Sequence, residues 1–134
     1  MRVLVTMFFV LLVAGCCKVY CDGRDLGISF RKFKTVETDT VVFESYLPKT
    51  NTKVDSFAFA ATVPPTDSTQ STFSYPVSSA YDWKITLPSI NKEFVIENFK
   101  LTKDQCSCSG REYHLISSFT VNGVKKNGLS LELE

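Results

Sequence analysis

A two-residue hydrophobic period runs through most of this chain and directs it towards sheets rather than helices. Leu26, Ile28 and Phe30 alternate with Gly27, Ser29 and Arg31, and Trp83, Ile85 and Leu87 alternate with Asp82, Lys84 and Thr86. Residues 41–47 are β-branched and aromatic and stop at Pro48, while 54–62 place Phe57, Phe59 and Ala61 on one face. Residues 94–101 are apolar on both sides early, as in a central strand. Further on, Tyr113, Leu115, Ser117, Phe119 and Val121 oppose His114, Ile116, Ser118 and Thr120. Finally, Leu129, Leu131 and Leu133 oppose Ser130, Glu132 and Glu134, so a strand at the very end should belong to the core. Asn122-Gly123 ends one run, and Lys125-Lys126-Asn127-Gly128 is expected to turn the chain into the last. Runs of this kind at intervals of about a dozen residues, parted by Pro, Gly, Asn and Thr, predict an all-β fold. The expected form is a small antiparallel β-sandwich of seven to eight strands. A length of 134 residues leaves room for one such domain.

The first residues do not share this pattern. Met1-Arg2 gives a short positive start, residues 3–13 are apolar but for Thr6, and Ala14-Gly15-Cys16-Cys17 follows. That is the layout of a secretory signal peptide. At about 1.5 Å per residue the apolar stretch would make a helix of roughly 16 Å, half the thickness of a bilayer interior, so no transmembrane segment is expected. The division expected is therefore a cleaved signal peptide at 1–16, its end falling between 15 and 21, and a single domain at 17–134. Val13-Ala14-Gly15-Cys16 is also similar to a bacterial lipobox. An alternative location is thus a lipid-anchored lipoprotein held through Cys16; the first is secretion.

Five cysteines fall in two clusters, Cys16, Cys17 and Cys21 at the start and Cys106 and Cys108 late. In an exported chain such clusters default to disulfides. A bridge between Cys106 and Cys108, one residue apart, would strain its ring, so each should reach back to the first cluster. Removal or acylation of Cys16 leaves Cys17 and Cys21 against Cys106 and Cys108, with the pairing open. A tetrahedral thiolate metal site is the competing use, but the spacing matches no recognised zinc module. No metal and no cofactor are expected.

Residues 62–79 (TVPPTDSTQSTFSYPVSS) interrupt the strand pattern with three prolines and many Ser and Thr. A strand could lie at 71–75; otherwise this is a long exposed loop, of the kind that is usually functional or mobile. Phe73 and Tyr75 at its tip, with Tyr81 just beyond, are the candidate binding residues. No Asn-x-Ser/Thr acceptor occurs in the chain.

Charge and chemistry exclude several classes. Lys+Arg 15 nearly balances Asp+Glu 14, and Arg2 and Lys18 lie in or beside the leader. That balance lacks the electrostatic footprint of a nucleic-acid binder. Phe30-Arg31-Lys32-Phe33-Lys34 reads as an edge guarded by charge. His114 is the single histidine, on a strand, with no nucleophile elbow or glycine-rich phosphate loop elsewhere to complete a catalytic set. The chain is expected not to be an enzyme; a small extracellular hydrolase is a distant third reading.

Two readings precede it. One is a secreted, disulfide-stapled, non-catalytic recognition module that binds an extracellular protein or surface glycan. The other draws on Cys106-Ser107-Cys108, Gly110, Tyr113-His114-Leu115 and Phe119-Thr120-Val121. This stretch of under twenty residues resembles the late Cys-x-Cys and following strand of lipid-recognition β-cup domains, although the terminal strand lacks their further cysteine. The resemblance implies a lipid carrier whose two sheets part to admit an acyl chain. Phe30, Phe43, Phe57, Phe59, Phe94 and Phe119 suit a solid core or a lined pocket equally.

Overall fold

A computed structural model describes residues 21–106 and 110–134. Nine strands form in chain order: β1 (Asp25–Ser29), β2 (Thr40–Tyr46), β3 (Lys53–Ala60), β4 (Ser74–Ser78), β5 (Asp82–Leu87), β6 (Lys92–Gln105), β7 (Glu112–Val121), β8 (Val124–Lys126) and β9 (Ser130–Glu132). Two short 3-10 turns, Thr35–Thr38 and Pro88–Ile90, are the helical content of the described residues. One sheet has the order β4-β1-β9 and the other β3-β2-β5-β6-β7-β8. Alternation sends one face of each to a shared interior. Leu26, Ile28, Val77 and Leu131 from the small sheet meet Val41, Phe43, Ile85, Leu87, Phe94, Ile96, Ile116 and Phe119 from the large one in a single apolar cluster. Removing such side chains from water is the main stabilising term, about 1.5–3 kcal/mol for each.

The expected count of seven to eight strands is exceeded, because β4 lies in the proline- and serine-rich stretch and β8 is too short to show a period of its own. The all-antiparallel expectation also needs correcting, since β1 and β9 run parallel, with Gly27 opposite Ser130 and Ile28 opposite Leu131. A parallel pair needs a long connection. Here β1 opens the described strands and β9 closes them, so the rest of the domain is that connection. Leu131 and Leu133 are buried as expected of a core strand, whereas Leu129 is exposed.

The turn near the end lies earlier than the lysines. Asn122 and Gly123 have φ of 47° and 79° and join Val121 to its partner Val124, the paired left-handed geometry of a two-residue hairpin. Lys125 and Lys126 lie within β8, opposite Thr120 and Phe119.

Two phase expectations also change. Val95 is 38% exposed, so β6 is covered on one face only. In β7 the alternation slips: Ile116 and Ser118 are buried and so is Phe119. Irregularities between Glu97 and Leu101 in β6 produce the slip, with Asn98 at a φ of 58°. Ser117 Oγ donates to the Lys100 carbonyl at 3.0 Å beside it. A bulge moves every later side chain to the other face, which strict alternation cannot anticipate.

Residues 62–79 are less loop-like than expected. β4 occupies 74–78 and pairs with β1 along its length. The remainder is tied to the 33–36 segment: Thr35 N–H donates to Thr69 O at 2.8 Å, Ser71 N–H to Phe33 O at 2.8 Å, and Thr66 N–H to Thr35 Oγ1 at 2.8 Å.

The start of the described chain is fixed from two sides. Cys21 is bonded to Cys106 across 85 residues, their Cα atoms 5.8 Å apart. Cys17, Cys108 and the proposed leader lie outside the described residues. Gly23 bridges Leu115, and Ile116 N–H donates to Gly23 O at 2.7 Å. A Cβ on Gly23 would lie 2.4 Å from Leu115 Cβ and 2.7 Å from its Cα. The segment therefore closes against β7 only because residue 23 has no side chain.

Two stability outcomes follow. Gly23→Ala should lower the free energy of unfolding by about 1–3 kcal/mol, read from urea denaturation, because backbone must move to admit the methyl. Replacing Cys21 and Cys106 together by Ser should cost about 2–5 kcal/mol, because the long closed loop no longer limits the unfolded chain.

Candidate functional site

The margin where β3 and β4 form the edges of their sheets is built almost wholly of aromatic rings. Pairing sets the geometry. Phe57 is directly opposite Phe43 and Phe59 opposite Val41, so both β3 rings share the inward face of β2. Phe43 and Phe57 stack at 5.3 Å between centroids with 11° between planes. From the small sheet, Tyr75 lies 5.0 Å from Phe59, 5.1 Å from Phe43 and 5.5 Å from Phe57. Phe73, just ahead of β4, lies 5.3 Å from both Phe30 and Phe59. At the other end Trp83 stands edge-on to Phe57 at 6.3 Å, and Tyr81 edge-on to Trp83 at 6.3 Å. The tilted and edge-on geometries dominating this set are those that ring quadrupoles favour.

Exposure grades along the cluster from Phe43 at 0% through Trp83 at 7% to Phe59 at 37%. Phe57, Phe73, Tyr75 and Tyr81 are half-buried. The inner rings belong to the core; the outer ones present apolar surface to solvent. Trp83 Nε1–H donates to the Ser78 carbonyl at 2.8 Å and so fixes β5 to the end of β4. Among the described residues no protein partner is recorded for the hydroxyls of Tyr75 and Tyr81. Each is thus a ring fixed by packing with a polar tip left for solvent or ligand, the combination favoured in binding surfaces.

All three residues singled out from sequence enter this one cluster. Phe73 and Tyr75 are not the tip of a free loop; they lean against β2 and β3, Tyr75 because β4 pairs with β1, and Phe73, just ahead of β4, because its carbonyl accepts from Phe30 N–H at 3.2 Å. Phe57, Phe59 and Trp83 were not singled out as binding residues. The alternation of Phe57 and Phe59 was the available signal, but nothing in sequence says that their strand would lie at an edge.

The outer face of the large sheet is ionic. Glu44 on β2 is paired with Lys53 on β3 and lies opposite Lys84 on β5, which bonds Glu93 on β6 at 2.7 Å. The hydrogen bond from Lys53, with that of the Tyr46 hydroxyl and the charge of Lys84, holds the Glu44 carboxyl below the ordinary glutamate range, against an opposing effect of burial. Lys53 is raised by its bond to Glu44 and Lys84 by its bond to Glu93.

His114 stands apart from both faces of interest, its Nδ1 3.3 Å from Arg24 Nη2. Among the described residues no three His, Cys, Asp or Glu side chains converge as metal ligands would. None of the described helices is long and apolar enough to cross a membrane. A Cys21–Cys106 bridge is compatible with an extracellular setting. Comparison with family models, curated proteins and solved structures yields no match for this chain.

The ionic row gives a pH dependence of defined sign. A carboxyl whose folded pKa is depressed contributes stability above its unfolded value and loses it as pH falls through the folded value. The raised lysines contribute below the ordinary lysine range and lose it as pH rises through their folded values. Glu44→Gln should therefore lower the urea midpoint near neutral pH, and its curve should meet that of the unaltered protein in strong acid. The gap should be small and should narrow with added salt, since Lys53 is exposed and Glu44 only half-buried.

Proposed function

We propose that this chain is a secreted recognition module, non-catalytic, that binds an extracellular protein or a surface glycan through the aromatic seam. In this reading residues 1–16 are a removed leader, and the two sheets are a disulfide-stapled β-sandwich that holds the binding rings rigid. Phe73, Tyr75 and Tyr81 make the contact, extended by Phe57 and Phe59. The observation that carries the reading is the graded exposure of packed rings between β3 and β4, two of them bearing hydroxyls without a recorded protein partner. Rings already locked by neighbours lose little entropy on binding, which is why aromatic anchors dominate the energetics of recognition surfaces. The near-zero charge balance favours a neutral partner such as a glycan or an apolar protein patch over a polyanion.

One observation favours the lipid carrier as a second reading. The seam is continuous with the interior, because Phe59 and Tyr75 at the margin touch Phe43 in the core. An acyl chain entering between the edges of β3 and β4 would exchange ring–ring contacts for ring–chain contacts.

Native mass spectrometry of protein secreted from a eukaryotic host separates the two. A bare mass, with binding on a glycan array or to a cell-surface protein library, supports recognition; a co-purifying lipid supports the carrier. For a recognition partner found in this way, Tyr75→Ala and Tyr81→Ala should each weaken binding by about 10–100-fold. Unchanged affinity in both variants would remove the seam from the function.

A further inference from the structure

Each sheet has two edge strands, and three of the four carry a recognisable guard. β4 contains Pro76, β8 has three residues of which two are lysine, and β9 has three residues ending in Glu132. Prolines, charges and shortness are the usual means of preventing edge-to-edge pairing. β3 is different. It is eight residues long, and its two charges, Lys53 and Asp55, lie within its first three residues; no charged side chain occurs from Ser56 to Thr66.

The hydrogen-bond phase of β3 shows which backbone groups are open. Ala61 N–H donates to Asp39 O at 2.7 Å, one pair beyond Thr40 and Ala60. By the alternation of antiparallel ladders, Phe57 and Phe59 then bond to β2, whereas Ser56, Ala58 and Ala60 turn N–H and C=O outward. Consistent with that phase, Ser56 N–H is taken up by the carboxylate of Asp55 at 2.8 Å rather than by β2.

We infer that β3 pairs antiparallel with β3 of a second copy of this chain, with the two-fold axis at Ala58, joining the large sheets of two protomers into one. The register satisfies backbone and side chains together. Ala58 faces Ala58 of the second copy and Ser56 faces its Ala60, so the outward groups meet as hydrogen-bonded pairs. The Ser56 amide passes from Asp55 to that Ala60 carbonyl. Phe57 then lies opposite Phe59 of the second copy and Phe59 opposite its Phe57. These are the non-hydrogen-bonded positions, where side chains approach most closely. The 37% exposure of Phe59 is covered by the partner's ring.

Neighbouring registers fit less well. An axis at Phe57 places Asp55 against Phe59, and an axis at Phe59 leaves Phe57 facing Ala61. On the solvent face the Ala58-centred register brings together only Ser56, Ala58 and Ala60, with no clash of bulk or charge. An isologous, self-complementary contact of this kind closes at two copies and does not propagate through β3. The pairing takes Phe57 and Phe59 out of the contact surface proposed above and leaves that contact to Phe73, Tyr75 and Tyr81.

Sedimentation velocity on the full folded protein, from micromolar to millimolar concentration, tests the pairing. The unaltered chain should show a concentration-dependent species of twice the monomer mass. Ala58→Lys and Ala58→Glu each set like charges against each other at the axis, and should weaken the dimer by about tenfold or more with an unchanged circular dichroism spectrum. An equimolar mixture of the two should restore it, because opposite charges then meet. A monomer at every concentration overturns the proposal, as does a dimer indifferent to both substitutions. Failure of the mixture to recover overturns the Ala58-centred register.

Discussion

Phe43 is the point on which the packing turns. It is wholly buried on the second strand of the large sheet and touches Phe30, Phe57, Phe59, Phe73, Tyr75 and Trp83. Those rings come from the inner face of the large sheet, from both strand regions of the small sheet that cross it, and from the edge strand β3. One side chain thus links the contacts between sheets to the margin where a ligand could approach. A close-packed interior has no slack at such a position, so the exposed rings inherit their orientation from the buried one.

The two ends of the described chain depend on that arrangement in a different way. The N-terminal segment is held by a covalent bond to Cys106 and by the close approach of Gly23 to Leu115. The C-terminal strand lies beside β1 in parallel, with Leu131 and Leu133 in the common core. Both ends therefore converge on the same short strand or its approach. Such contacts are far apart in sequence, and the loops they close cost entropy before packing repays it. A long-range disulfide is well placed to reduce that cost.

Much of the secondary structure was legible from local pattern. Leu26 with Ile28, Trp83 with Ile85 and Leu87, and Val41 with Phe43 alternate in sequence and alternate in burial. What failed did so where alternation breaks for geometric reasons. Ile116 changed face because paired irregularities in β6 and β7 shift the phase, and Val95 is open because the small sheet covers only one side. Phe73 and Tyr75 looked like the tip of a loop because proline and serine around them resemble turn chemistry. Pairing of β4 with β1, and the bond from Phe30 N–H to the Phe73 carbonyl just ahead of it, made them packed members of a cluster.

From residue order alone came the sheet-rich fold, the core role of the last leucines and the joining of an early cysteine to a late one. Side-chain period and cysteine spacing are local properties, and they survive without knowledge of neighbours. Folding in three dimensions alone set which strands became edges, and hence where Phe57, Phe59, Tyr75 and Tyr81 emerge together. It also set the parallel course of β9 along β1. Strand order depends on non-local contacts among segments that share the same alternating pattern, and that pattern does not name its partner.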